Sequence, residues 1–252
     1  MELTLLGTGA CAPDPERSPS CYMLTIGAAR FLIDPGPGAV NRILAAGMDP
    51  FGVEAIVITH HHLDHCADLL PYLFAYKNCL ESAPKNNVTI FAPAGFKNVF
   101  AKLMEVYGRW IYSADYEIRI EEMGSGEYHA AGYSIRSLPM LHGANGLGYR
   151  FERAGGPTLA YSGDTAYCSQ LIELSRGADL LLLECTYPDG VETDGHMRTS
   201  EAARAGILSG AKRLVLTHFH PSQDTSTLAE KVRSAGYARE VIVGEDGMKI
   251  RI

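Results

Sequence analysis

The sequence predicts an α/β protein in which two mixed β-sheets pack face to face, with helices on their outer sides. Three observations predict it. Short apolar runs bounded by Gly, Pro and Asp alternate with segments of helical spacing in the first third of the chain. The same alternation returns in the last third. Between the two, four strand-like runs follow one another without a helix, which implies antiparallel pairing. A doubly wound single sheet would satisfy much of this pattern and stays open as the competing architecture.

In chain order, Leu3 to Leu6, Cys21 to Ile26, Phe31 to Ile33 and Ala55 to Thr59 read as strands, because β-rich apolar residues sit between turn formers. Val40 to Ala46 has helical spacing and stops at Gly47; Leu69 to Tyr76 reads as a second helix. Val88 to Ala92 is a strand and Ala94 to Tyr107 a helix. The four consecutive runs are Tyr116 to Ile120, Tyr133 to Leu138, Leu147 to Phe151 and Thr158 to Ser162. Strand Leu180 to Glu184, helix Ser200 to Leu208, strand Arg213 to Thr217, helix Thr225 to Ala235 and strand Glu240 to Val243 complete the pattern. No Pro-, Ser- or charge-rich linker interrupts it, so residues 1–252 read as one domain.

Composition narrows the function. With 22 Lys+Arg against 29 Asp+Glu the net charge is −7, which opposes wholesale attraction to nucleic acid or to an anionic membrane. The six cysteines contain no CxxC pair and read as reduced thiols. The N-terminus lacks the basic start and apolar stretch of a signal peptide, and no run is long enough to span a bilayer, so a cytoplasmic protein without membrane contact is expected.

Directly after the run Ala55 to Thr59 stands His60-His61-His62-Leu63-Asp64-His65. With 9 His among 252 residues, the spacing His-x-His-x-Asp-His arises by chance about 0.0005 times. Neutral imidazoles and carboxylates suit first-row divalent metals, and a tight turn after a strand can aim alternate side chains at one point. Further ligands must come from elsewhere. His142, Asp164 and His218 each follow the end of an apolar run.

In these blocks the chain resembles the metallo-β-lactamase-fold hydrolase superfamily, an αββα four-layer sandwich with ligands on loops at strand ends. The resemblance covers essentially the whole chain. It runs through Asp34 in Ile33-Asp34-Pro35-Gly36, the histidine cluster, His142, Asp164 in Ser162-Gly163-Asp164-Thr165 and His218 in Leu216-Thr217-His218, all in family order. It implies two divalent cations, of which zinc, manganese or iron would fit such ligands. His60, His62 and His142 would hold one, Asp64, His65 and His218 the other, and Asp164 would bridge them. Asp64 would also orient the attacking water, so it is expected to be catalytic as well as a ligand. The resemblance also suggests a homodimer.

Leu6-Gly7-Thr8-Gly9-Ala10, Leu183-Glu184-Cys185-Thr186 and His196, ahead of Thr199-Ser200-Glu201, are similar to the ribonuclease Z group of phosphodiesterases. There, a His at the place of His196 faces the scissile phosphate and stabilises it or protonates the leaving oxygen, so His196 is the second catalytic expectation. The chain departs from that group in three ways. Only 22 positions separate His142 from Asp164, too few for a tRNA-gripping arm. Tyr161 stands where the group carries Glu, so the partner expected to tune His196 is missing. Phe219-His220-Pro221 follows the last ligand in place of Ser and Arg.

These features favour hydrolysis of a small or nucleotide phosphodiester, with nucleic acid a less favoured partner. The alternatives are a thioester or lactone hydrolase, a tRNA 3′-processing endoribonuclease, and a metal-stabilised binding module without chemistry. Only 34 residues follow His218, which leaves no room for the helical extension that thioester-cleaving glyoxalases carry. Asp34, Thr165 and Glu184 read equally as residues that orient ligands by hydrogen bonds and as ordinary strand-end polar residues. His61 should turn to solvent, His129 reads as a turn residue, and His220 as a loop residue or a substrate contact. The aromatic segment Met104 to Tyr116 reads equally as a lid, a dimer surface or a packed satellite.

Overall fold

The computed structural model describes residues 1–79 and 86–252. Strands β1 (Glu2–Gly7), β2 (Cys21–Ile26), β3 (Ala29–Ile33), β4 (Ala55–Val57), β5 (Val88–Pro93) and β6 (Ile118–Met123) form one sheet. The other contains β7 (Gly126–Ala130), β8 (Tyr133–Pro139), β9 (Leu147–Arg153), β10 (Thr158–Tyr161), β11 (Leu180–Glu184), β12 (Arg213–Thr217) and β13 (Glu240–Val243). Strand β14 (Lys249–Arg251) returns to the first sheet beside β1. Pairing is parallel from β3 to β6 and again from β10 to β13. Strands β1 to β3 and β7 to β10 pair antiparallel.

The period of two along each strand explains the layers. Leu180 and Leu182 of β11 enter the core between the sheets, whereas Leu181 and Leu183 enter the core beneath the outer helices. Tyr22 and Leu24 of β2 likewise face the central core, and Cys21 and Met23 face the other way. Helices α1 (Ala39–Ala45), α2 (Leu63–Cys66), α3 (Leu69–Asn78) and α4 (Phe96–Ile111) lie on the first sheet's side. The second sheet's outer face is covered by α5 (Ser169–Ser175), α6 (Thr199–Ser209) and α7 (Leu228–Ser234). This is the two-sheet sandwich that the sequence predicts.

Two expectations are corrected. The run Tyr116 to Ile120 does not join the antiparallel group: as β6 it pairs parallel to β5 in the first sheet. Its place beside β8 is taken by β7, which the apolar pattern passes over because four of its five residues are exposed. Helix α4 also runs past Tyr107 to Ile111, since the buried positions Phe96, Phe100, Met104 and Ile111 continue the helical spacing. Within the aromatic segment, Met104, Ile111 and Tyr116 are buried, and Tyr107, Trp110 and Tyr112 are exposed. Among the described residues, no helix is long and apolar enough to cross a membrane.

The sandwich brings the C-terminal ends of β3, β4, β8, β10, β11 and β12 to one edge, where open α/β architectures bind ligands. The central core sets how firmly that edge is held. Phe151 is fully buried there, its ring 5.7 Å from Phe31. Phe151→Ala should therefore cost about 3–5 kcal/mol of unfolding free energy. Chemical denaturation checks this, and a loss below about 1 kcal/mol would mean that the sheets do not close on this ring.

Candidate metal centre

Beyond β4 the chain bends at Thr59 and delivers His60, His62 and, in α2, Asp64 and His65. His142 follows β8, Asp164 follows β10 and His218 follows β12. The structure brings all seven together in two groups, His60–His62–His142 and Asp64–His65–Asp164–His218, with ligand atoms in each group within 4.8 Å of one another. Asp164 lies between them: its Oδ2 is 3.7 Å from His60 Nε2 and 3.3 Å from His65 Nε2, and its Oδ1 is 3.4 Å from His218 Nε2. His61 is exposed, His129 is exposed on β7, and His220 is half-buried near the cleft.

Hydrogen bonds fix which imidazole nitrogen faces inward. Thr59 Oγ1 donates to Asp34 Oδ2 at 2.8 Å, so at 3.1 Å it accepts from His60 Nδ1–H. His65 Nδ1–H donates to Asp34 Oδ2 at 2.9 Å, and His142 Nδ1–H donates to the Gly195 carbonyl at 2.8 Å. Thr186 Oγ1 donates to Glu184 Oε2 at 2.6 Å and accepts from His218 Nδ1–H at 2.8 Å. Each of these four rings in its neutral form therefore presents a bare Nε2 lone pair to the centre.

The result is a concentration of imidazole nitrogens and carboxylate oxygens around one point. His65 Nε2 and His218 Nε2 face each other at 3.3 Å, and His142 Nε2 faces His62 Nδ1 at 3.2 Å. His60 Nε2 and Asp164 Oδ1 are buried without a hydrogen-bond partner among the described residues. Burying such groups uncompensated costs about 1–3 kcal/mol each. A divalent cation in each group removes that cost, and imidazole and carboxylate are its proper donors. The residues fit two cations.

The titration behaviour agrees with that chemistry. Burial, reinforced by the neighbouring His65, pushes the His60 imidazole down to about 2 and keeps it neutral. Burial acts to raise the Asp64 carboxyl, but the adjoining His218 and His65 rings outweigh it and leave it at about 2. At His65 burial disfavours charge, yet the Asp164 and Asp34 carboxylates raise the pKa well above the ordinary value. The same carboxylates attract a cation, so protons and metal compete for His65 Nε2.

Two buried carboxylates hold the arrangement. Asp34 accepts from Thr59 N–H at 2.7 Å, Thr59 Oγ1 at 2.8 Å, His65 Nδ1 at 2.9 Å and the Tyr161 hydroxyl at 2.8 Å. Glu184 accepts from Thr165 N–H and Thr186 Oγ1 at 2.6 Å, Met197 N–H at 3.0 Å and His196 Nδ1 at 3.1 Å. The last contact corrects a sequence expectation: His196 does have a carboxylate partner, reached from the end of β11 instead of from position 161. Burial acts to lower the His196 pKa, but the hydrogen bond and charge of Glu184 raise it above the ordinary value. Sequence reasoning missed Thr59, Thr186 and the Gly195 carbonyl; Thr59 and Thr186 adjoin His60 and Cys185, in blocks already singled out.

Backbone geometry is specialised at the same places. Asp34 and His218 are the non-glycine residues with positive φ among the described residues, at 46° and 60°. Gly195 adopts φ 76°, and a Cβ there would lie 2.8 Å from His142 Nδ1, which its own carbonyl must meet.

The model of the beta-lactamase superfamily domain matches residues 29–219, an interval that contains every one of these residues. The chain belongs to the beta-lactamase superfamily. Within this superfamily it is 31% identical to the ribonuclease Z of Mycobacterium bovis over 244 residues, covering 88% of this chain and 87% of that protein. The metallo-β-lactamase fold protein YhfI from Bacillus subtilis superposes with a TM-score of 0.85 at 24% identity over 99% of each chain. Human short-form tRNase Z gives a TM-score of 0.82 at 25% identity, covering 100% of this chain and 99% of that one.

Because Asp34 positions two imidazoles, Asp34→Asn should weaken metal binding by about 10–100-fold. Competition with a fluorescent chelator measures it. Wild-type affinity in the variant would remove Asp34 from any role in holding the centre.

Proposed function

We propose that this chain is a dinuclear metal-dependent phosphodiesterase acting on a small or nucleotide phosphodiester. His60, His62 and His142 would hold one cation, Asp64, His65 and His218 the other, and Asp164 both. Two bound divalent cations make water a nucleophile near neutral pH and polarise phosphoryl oxygens. Zinc suits these donors, as do manganese and iron.

The observation that carries the reading is His196, outside the two ligand groups but beside them, with Nδ1 on Glu184 and its ring 4.8 Å from that of His142. Glu184 keeps the Nδ1 proton in place, which leaves Nε2 to carry a proton to a departing oxygen. An alkoxide leaving from phosphorus needs that proton; a thiolate leaving from a thioester does not. Asp64, with 12% of its side chain exposed, accepts a hydrogen bond from the attacking water and so directs its remaining lone pair at phosphorus. Asp164, His65 and His218 are buried behind it.

A small substrate is favoured over tRNA on two grounds. Between His142 and Asp164 the chain consists of β9, β10 and the short connections around them, with no protruding arm. The loop that carries His196 also presents Glu192 and Asp194 to solvent, and with the net charge of −7 it repels a polyanion. The ribonuclease Z relatives make tRNA 3′-processing the second reading.

Metal-loaded protein should hydrolyse bis(p-nitrophenyl) phosphate faster than a thioester or a lactone, and chelation should abolish the turnover. Dominant thioester or lactone cleavage would overturn the reading, and efficient cleavage of a pre-tRNA would replace it by the second. His196→Ala should lower kcat about 10²–10⁴-fold on diesters with alkoxide leaving groups and far less on p-nitrophenyl esters, whose leaving group needs no proton. Equal losses on both would exclude the proton-donor role.

A further inference from the structure

We propose that Tyr187 and His220 form a stacking platform for the base of a nucleoside phosphodiester, on the leaving-group side of the centre. The inference deepens the phosphodiesterase reading and rests on it for the orientation of the substrate. It starts from a row of rings that continues outward from the ligands. His196 stacks on His218 at 5.5 Å and 16°, Tyr187 meets the edge of His196 at 6.0 Å, and His220 lies against Tyr187 at 5.1 Å and 36°. His218 is buried, whereas His196, Tyr187 and His220 are only partly so, and the row therefore leads from the centre to solvent.

Main-chain bonds anchor the two residues that carry the outer rings. Tyr187 N–H donates to the Met197 carbonyl at 3.2 Å, next to His196, and His220 N–H donates to the Thr186 carbonyl at 3.1 Å. Phe219, between His218 and His220, receives a further bond from Ala10 N–H at 3.0 Å. A preformed surface of this kind loses little conformational entropy on binding.

His220 has a defined donor. Ser222 N–H donates to its Nδ1 at 3.1 Å, so that nitrogen is an acceptor and the ring proton resides on Nε2. Nε2 has no hydrogen-bond partner among the described residues. The platform therefore offers the surface of two partly exposed rings and one N–H donor, which match a nucleobase with its flat surface and ring-nitrogen or carbonyl acceptors. An alkyl group would use neither. Because the Tyr187 ring touches His196, the proposed proton donor, the group seated there is the one whose oxygen departs.

Calorimetry on metal-loaded protein with adenosine 5′-monophosphate and ribose 5-phosphate isolates the base, since both carry the same phosphate. The nucleotide should bind about tenfold more tightly. That preference should collapse to near parity in Tyr187→Leu/His220→Ala and persist in Tyr187→Phe, with circular dichroism confirming folded variants. Equal affinity of the two ligands for the wild type, or an undiminished preference in the double variant, would overturn the platform. Bis(p-nitrophenyl) phosphate turnover, measured on the same samples, separates the two readings. A base preference without turnover would sink the phosphodiesterase assignment and leave the platform as a nucleotide site; turnover without a base preference would do the reverse.

Discussion

Two carboxylates, one from each sheet, are fully buried at the edge where the sandwich opens, and each is satisfied by four hydrogen bonds. Asp34 follows β3 of the first sheet, and Glu184 is the last residue of β11 in the second. A buried carboxylate lacking donors would carry a penalty of several kcal/mol, so the groups around each one are compelled to point at it. Those groups are the outward nitrogens of His65 and His196 and the hydroxyls that orient His60 and His218. The ligand geometry is in that sense set from behind, by an interaction no substrate or metal touches. Tyr161 adds a link between the sheets, since a residue of β10 donates to the carboxylate beyond β3.

The same two residues show why the site was only partly legible. Residue types and spacing are local facts: His60, His62, Asp64 and His65 sit within six residues, and three more candidate ligands each follow an apolar run. Partnerships are not local. Tyr161 and Asp34 lie 127 positions apart, and nothing in either segment announces that they meet. The pairing of His196 with Glu184 spans only 12 positions, yet it depends on the loop after β11 folding back over the strand end. An expectation built on position 161 alone consequently missed it.

The fold was legible where burial imposes a period and obscure where it does not. Strands β2, β11 and β12 are buried nearly throughout and read directly as apolar runs. Strand β7 is a sheet edge with almost every side chain in solvent, and β14 is an edge of three residues, so neither leaves an apolar signature. The misplacement of β6 has another cause: its alternating exposure fits either pairing sense, and only the parallel ladder with β5 decides.

Function and stability pull against each other at this edge. Asp34 and His218 both occupy the left-handed region, each at a cost of about 1–3 kcal/mol, and both do so where a strand must turn abruptly into the site. Two groups of imidazoles and carboxylates, each with its ligand atoms within 4.8 Å of one another, add an electrostatic cost of the same sign. The central core and the two carboxylate networks offset these terms. A preorganised set of lone pairs favours a charge placed among them without reorganisation, which is the property that electrostatic catalysis of phosphoryl transfer draws on. The strain is thus concentrated where a cation would relieve it, and the rest of the sandwich is free to be an ordinary close-packed core.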